Sequence, residues 1–239
     1  MKARNLLGVL AILALAGAAV AAEKRIGVNF VGAAPESQTL AADAVAGAEE
    51  VAQAHWNNLE ITQDDANGHG NSGGLEKVVD GTGGVVRGLS VMVAATESTQ
   101  VWPVTGAGWG FEGANLTMQL GHLHPQARIT VKGIPYAKYD VYAYAAAGDN
   151  GGQGSVTIAV AGTATGKVAL PPIRFYNFKW LGGKFVPATA TTLEEAQKSE
   201  GSNCVVFKGN SAKAFTLDWD GKLGGGWTGV SAIQIVPAP

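Results

Sequence analysis

Apolar and polar residues alternate along most of this chain. The pattern is clear at residues 26–30, 89–93, 129–132, 156–160 and 215–219. A period of two buries one face of a β-strand and exposes the other, because successive side chains point to opposite sides. The alternation predicts at least eight short strands.

Other segments refine this prediction. Residues 139–147 are apolar on both faces, which predicts a strand in the centre of a sheet, and residues 116–120 alternate as a further strand. Helix signals are few. The Ala-rich residues 41–55 fit a helix or an ordered loop equally well because Gly47 interrupts them, and Thr192 precedes a single capped turn.

Glycine separates the apolar runs. It accounts for 34 of the 239 residues, and such clusters are typical of the many turns in an all-β domain. No break in composition divides residues 22–239. We therefore expect one all-β domain there, a single jelly-roll β-sandwich with at most one or two short helices.

The beginning of the chain has the three parts of a cleavable signal peptide. Lys2 and Arg4 precede an apolar run at residues 6–16, and small residues follow at 19–21. We expect residues 1–21 to be the signal peptide, removed after Ala21 on export to the periplasm, the cell surface or the medium. No second apolar run suits a membrane span. The net charge of −2 predicts no nucleic-acid-binding surface.

Cys204 is the only cysteine, which excludes an internal disulfide. Stability must come from the core, with or without bound ions. The strand-like sequence around Cys204 predicts a buried, inert thiol. Alternation likewise assigns Trp219 to the core, and Trp56 is predicted to be buried as well.

Three sequence segments together carry a family resemblance. They are Ile26-Gly27-Val28-Asn29-Phe30-Val31-Gly32, Trp56-Asn57-Asn58 and Val230-Ser231-Ala232-Ile233-Gln234-Ile235-Val236. In this order the chain resembles uncharacterised secreted bacterial domains of the galactose-binding-like jelly-roll type. The resemblance implies that the first and last strands pair and that the protein binds glycans or surfaces. The Arg, His and aromatic triad of galactose binders is not recognisable, so galactose itself is not implied.

Catalytic motifs are weak. His122 and His124 place two imidazoles on one side of an extended chain, as metal sites do, but Pro125 follows and no acidic residue or cysteine is near in sequence. We interpret them as two surface histidines in a turn. No serine lies in a Gly-x-Ser-x-Gly motif. The sequence favours a protein that is not an enzyme.

Calcium is the cofactor that the sequence suggests. Closely spaced oxygen ligands in Gly-rich segments suit this ion, although Asp and Asn are also ordinary turn residues. The candidate ligands are Asp65, Asn67, Asp218 and Asp220.

Aromatic residues near glycines indicate glycan binding, because sugar rings pack on aromatic rings while amides and carboxylates bind hydroxyls. The same tryptophans could instead plug the end of the sandwich. The candidate ligand-binding residues are Trp102, Trp109, Tyr176, Trp227, Asp149 and Asn150.

The leading functional hypothesis is a secreted or cell-surface, non-catalytic module that binds carbohydrate. The first alternative is a structural or adhesion protein that assembles with itself. The second is a glycan-active hydrolase or lyase whose carboxylates are dispersed in the sequence.

Overall fold

The computed structural model describes residues 24–32, 35–61, 72–95, 100–103, 110–147, 154–163, 166–169, 173–175, 181–199, 201–221 and 228–239. These residues form two large β-sheets, a small hairpin and short helices. The predicted all-β class is confirmed.

One sheet has eight strands, numbered here in chain order. They are β1 (Ile26–Val31), β2 (Asn57–Glu60), β7 (Gln100–Pro103), β8 (Gly121–His124), β10 (Tyr139–Ala147), β14 (Pro187–Ala188), β15 (Cys204–Asn210) and β17 (Thr228–Pro237). The order is β14-β15-β10-β17-β1-β2, and β8 joins β17 to β7. The first and last strands pair antiparallel, as the resemblance implies. β10 lies in the interior of the sheet, as its two apolar faces predict.

The other sheet has seven strands, and all of its pairings are antiparallel. They are β3 (Gly73–Leu75), β6 (Ser90–Ala95), β9 (Gln126–Lys132), β11 (Gly154–Thr163), β12 (Gly166–Ala169), β13 (Ile173–Phe175) and β16 (Ala214–Asp220). The order is β12-β11-β16-β9-β6-β3, and β13 pairs with β11. The hairpin consists of β4 (Val78–Val79) and β5 (Val85–Val86).

The two sheets face each other across one apolar core. Phe30 and Ile233 of the eight-stranded sheet belong to the same buried cluster as Ile129, Leu217 and Trp219 of the seven-stranded sheet. This packing makes the fold a β-sandwich. It also confirms the core position of Trp219, which is 2% exposed.

A second apolar layer covers the outer face of the eight-stranded sheet. It comprises helix α1 (Pro35–Gln38), a 3-10 turn at Glu49–Val51 and helix α2 (Gly113–Leu120). We call residues 35–56 and α2 the cover. Residues 41–55 form an ordered loop containing the 3-10 turn, because Gly47 at φ +108° cannot continue an α-helix.

The cover also confirms two predictions about burial. Trp56 is 4% exposed and packs edge-on to Tyr144. Cys204 is 1% exposed, and its burial raises the pKa of the thiol. A thiol with a raised pKa stays protonated, so Cys204 is a core residue rather than a nucleophile.

The three sequence segments that carry the resemblance lie on or beside the neighbouring strands β17, β1 and β2, where their side chains contact adjacent strands. The Trp56 ring lies so close over Gly27 that a Cβ there would sit 2.5 Å from it. The Asn57 amide donates to the carbonyls of Gly27 and Val79 at 2.8 Å each. The side-chain Oδ1 of Asn58 accepts from Asn29 Nδ2 at 2.9 Å. The Trp56 contact joins β1 to the cover, and the asparagine hydrogen bonds join β2 to β1 and β4.

Helix α2 replaces the strand predicted at residues 116–120. Five residues fit either period, and Ala114 and Met118, four residues apart, pack on one apolar cluster as a helix face does. Helix α3 (Leu193–Lys198) has the predicted Thr192 cap. Among the described residues, no helix is long and apolar enough to cross a membrane.

Candidate binding cleft

A polar cleft opens at the edge where the two sheets meet. Its volume is about 390 Å³. On one side β13 supplies Arg174, and on the other the chain runs from β14 into α3. The backbone N–H of Arg174 donates to the Ala190 carbonyl at 2.8 Å, and this hydrogen bond joins the two sides of the cleft. The polar side chains that line this Arg174 cleft are those of Arg174, Thr189, Thr191, Glu195, Ser199 and Ser202.

Glu195 is held in place at the rim by a capping box. Its backbone N–H donates to Thr192 Oγ1 at 3.2 Å. Its Oε2 accepts from the Thr191 N–H at 3.0 Å and the Thr192 N–H at 3.3 Å. These backbone hydrogen bonds lower the pKa of the Glu195 carboxyl. The carboxylate is therefore fixed and charged at neutral pH, and the same capping box shapes the cleft wall.

Arg174 is held by its backbone and offers its side chain to the cleft. Arg174 lies on β13 opposite Ser155 of β11, and its backbone N–H donates to the Ala190 carbonyl. The side chain is half-buried. Within the described residues, no hydrogen bond or ion pair engages its guanidinium. A guanidinium with five N–H donors is thus available to a ligand.

The cleft combines donors and acceptors suited to polyhydroxylated ligands. The hydroxyls of Thr189 and Ser202 can donate or accept, Arg174 donates and Glu195 accepts. Among the described lining residues, Glu195 carries the one carboxylate. A glycosidase of the usual kind needs two carboxyl groups that face each other across the sugar.

The sequence did not point to this cleft. The Thr192 cap was recognisable, but only as a helix start. Arg174 and Glu195 are distant in sequence, and no spacing signals that β13 and α3 approach each other. The cleft depends on the Arg174–Ala190 bridge between the two edges of the sandwich.

Two predicted calcium ligands lie in the described residues, on β16. Asp218 accepts from Arg128 Nε at 2.6 Å, and Asp220 accepts from Gln126 Nε2 at 3.2 Å. The other two, Asp65 and Asn67, lie outside the described residues. Over the described ranges, no group of three or more His, Cys, Asp and Glu side chains is placed to hold a metal ion. The calcium site stays a prediction.

Of the predicted ligand-binding residues, the structure describes Trp102. Trp102 lies on β7 opposite His122. Outside the described residues are Trp109, Tyr176, Trp227, Asp149 and Asn150. Their role in binding stays a prediction.

The histidine pair is not at the surface, and our interpretation of a surface turn was wrong. His122 and His124 lie in β8 and are 4% and 1% exposed. Their ring centres are 5.8 Å apart, and His124 Nδ1 lies 3.2 Å from the Thr228 carbonyl. Burial, with the neighbouring His124, lowers the pKa of His122 to about 3. Pro125 ends the strand rather than forming an exposed turn around the pair.

Comparisons with known proteins assign no family. No family model matches the chain, and no curated protein matches it. Among solved structures it is similar to the insecticidal crystal protein Cry2Aa, at 13% sequence identity and a TM-score of 0.34. The match covers 68% of this chain and 24% of that protein, so the chain spans about a quarter of its length. The β-sandwich assignment therefore rests on the sheets themselves.

Proposed function

We propose that this protein is an exported, non-catalytic binding module that holds carbohydrate in the Arg174 cleft. Export follows from the signal-peptide pattern of residues 1–21. The galactose-binding-like jelly-roll type, which the sequence motifs suggest, is part of the same proposal. Such folds host many functions, so the proposal depends on the site rather than on the fold.

The observation that carries the proposal is Arg174 in a hydroxyl-lined cleft. The volume of about 390 Å³ lies near the lower end of the range for small-molecule sites, which suits one or two sugar rings. Its walls are more polar than those of a typical apolar ligand pocket. Sugar hydroxyls need both donors and acceptors; Arg174 supplies donors, and Glu195, held by its capping box, supplies an acceptor.

Calorimetry with soluble oligosaccharides tests the proposal. For this test the full chain is expressed in a bacterial host, and mass spectrometry of any secreted protein reports whether cleavage follows Ala21. Arg174→Ala should weaken binding by at least about tenfold, because hydrogen bonds from a charged donor contribute about 1.5–3 kcal/mol. Arg128→Ala removes the same charge from an exposed site on β9 and should leave Kd within about twofold.

Two results would overturn the proposal. One is a folded wild-type protein that binds no glycan with a Kd below about 1 mM, which corresponds to a binding free energy of about −4 kcal/mol. The other is glycan binding that Arg174→Ala leaves unchanged, which would move the site away from the cleft. Light scattering on the same samples reports self-association, the main alternative function.

A further inference from the structure

Arg174 is a half-buried cation for which the described residues provide no anionic partner. Two exposed ion pairs join described residues, Arg128 with Asp218 and Lys198 with Glu194, and neither includes Arg174. Arg174 lines the cleft and keeps its charge at any accessible pH. A ligand that enters the cleft with its own negative charge would supply the anionic partner.

Glu195 does not neutralise Arg174. No ion pair joins the two side chains, and Glu195 Oε2 already accepts hydrogen bonds from Thr191 and Thr192. The Glu195 side chain is exposed, so water screens its charge. Its Oε1 remains available for a sugar hydroxyl. The cleft thus has the Arg174 cation at its wall and, at its rim, Glu195 Oε1 as an acceptor for a sugar hydroxyl.

We propose that the Arg174 cleft selects a uronic acid, a sugar whose carboxylate binds the Arg174 guanidinium. This proposal rests on the carbohydrate-binding function proposed above and names its ligand class. A guanidinium fork binds a planar carboxylate through two parallel N–H···O hydrogen bonds. The hydroxyls of Thr189 and Ser202 then face the hydroxyls of the same sugar ring. A neutral sugar offers the guanidinium hydroxyl acceptors but no charge, so its hydrogen bonds to Arg174 are weaker than those of a carboxylate.

The test compares matched acidic and neutral ligands. Oligogalacturonate, oligoglucuronate and oligomannuronate are each titrated beside the same oligosaccharide after its carboxyl groups are reduced to hydroxymethyl groups. This reduction removes the charge and keeps the ring stereochemistry. Calorimetry at about 50 and 500 mM NaCl reports Kd for each form, since salt weakens charge-dependent binding. At low salt we expect one acidic form to bind at least about tenfold more tightly than its reduced partner.

Variants locate the preference. Arg174→Gln should bring the acidic and reduced forms to within about twofold of each other, and Arg174→Lys should restore part of the preference because it keeps the charge without the fork. Arg128→Ala should keep the full preference. Urea unfolding of each variant shows that it is folded before its Kd is interpreted.

The outcomes separate this inference from the proposed function. Equal binding of acidic and reduced forms, or a preference that survives in Arg174→Gln, overturns the uronic-acid assignment while the carbohydrate-binding function stands. Binding of neutral glycans without binding of any acidic form also overturns the uronic-acid assignment, and the carbohydrate-binding function again stands. If the folded wild-type protein binds neither these ligands nor the wider oligosaccharide panel, both proposals fail.

Discussion

The outer faces of the two sheets are built differently. The cover lies on the eight-stranded sheet, where Tyr144 and Gln234 are fully buried. On the seven-stranded sheet the corresponding face carries Met92, which is 50% exposed, and the exposed Arg128 and Lys132. Among the described residues, helix α3 contacts the seven-stranded sheet at β13, where the cleft lies, whereas these three exposed residues lie on β6 and β9. One sandwich thus has a covered side and an open side.

The difference shows that a polar residue in an alternating strand does not have to face water. Under the cover, Gln234 Nε2 donates to the Val51 carbonyl at 2.6 Å and to Gln53 Oε1 at 2.9 Å. Its Oε1 accepts from the Tyr144 hydroxyl at 2.6 Å, and that hydroxyl accepts from the Ala48 N–H. The polar face of β17 therefore binds the cover instead of solvent, and buried groups of this kind are costly to leave unpaired.

The largest effect is expected from Gln234→Leu. This change leaves the Val51 carbonyl, Gln53 Oε1 and the Tyr144 hydroxyl without their partner beneath the cover, so the free energy of unfolding should fall by about 3 kcal/mol. Urea denaturation measures it. Thr130→Val is the matched polar-to-apolar control on the open face and should change stability by less than about 0.5 kcal/mol. Equal effects of the two variants would break the distinction between the faces.

Acid should weaken the eight-stranded sheet through His122. The buried imidazole stays neutral with a pKa of about 3, whereas the unfolded chain binds a proton near pH 6.5. The unfolded state therefore holds more protons between these pH values, and stability falls as pH drops through this window. The loss is at most about 1.4 kcal/mol per pH unit, or roughly 2 kcal/mol by pH 5.

Urea midpoints at pH 7.5 and pH 5 measure this loss. His122→Gln removes the titrating group and keeps a polar side chain, so the variant should lose less stability on acidification than the wild type. His124, which adds to the lowered pKa of His122, remains in both proteins. If acid destabilises the variant as much as the wild type, the acid-sensitive group lies elsewhere.

The sequence was most informative where one physical cause decides the outcome. Alternation located β1, β9, β16 and β17, because an inner sheet face must be apolar whatever lies outside it. The doubly apolar β10 was recognised as an interior strand for the same reason. The Thr192 capping box was visible because all of its parts lie within one turn.

Prediction failed where a second layer decides. Residues 116–120 belong to helix α2 of the cover, and the cover buries the polar face of β17. Neither outcome follows from local periodicity. His122 and His124 were assigned to a surface turn because Pro125 follows and no acidic residue or cysteine is near in sequence, yet β8 lies between β7 and β17 within the sheet. Arg174 and Glu195 come together through chain topology alone, which a single sequence does not reveal.

The smallest effect is expected at the ion pair on the open face. Arg128 Nε and Asp218 Oδ1 are 2.6 Å apart, and the two side chains are 52% and 41% exposed. Asp218 raises the pKa of Arg128 through a hydrogen bond and its charge. A double-mutant cycle with Arg128→Ala and Asp218→Ala should give a coupling below about 1 kcal/mol, and about 1 M NaCl should reduce it further. A salt-insensitive coupling of several kcal/mol would mean that water does not reach this pair. The open face would then be shielded as the covered face is, and a second layer would have to be sought there.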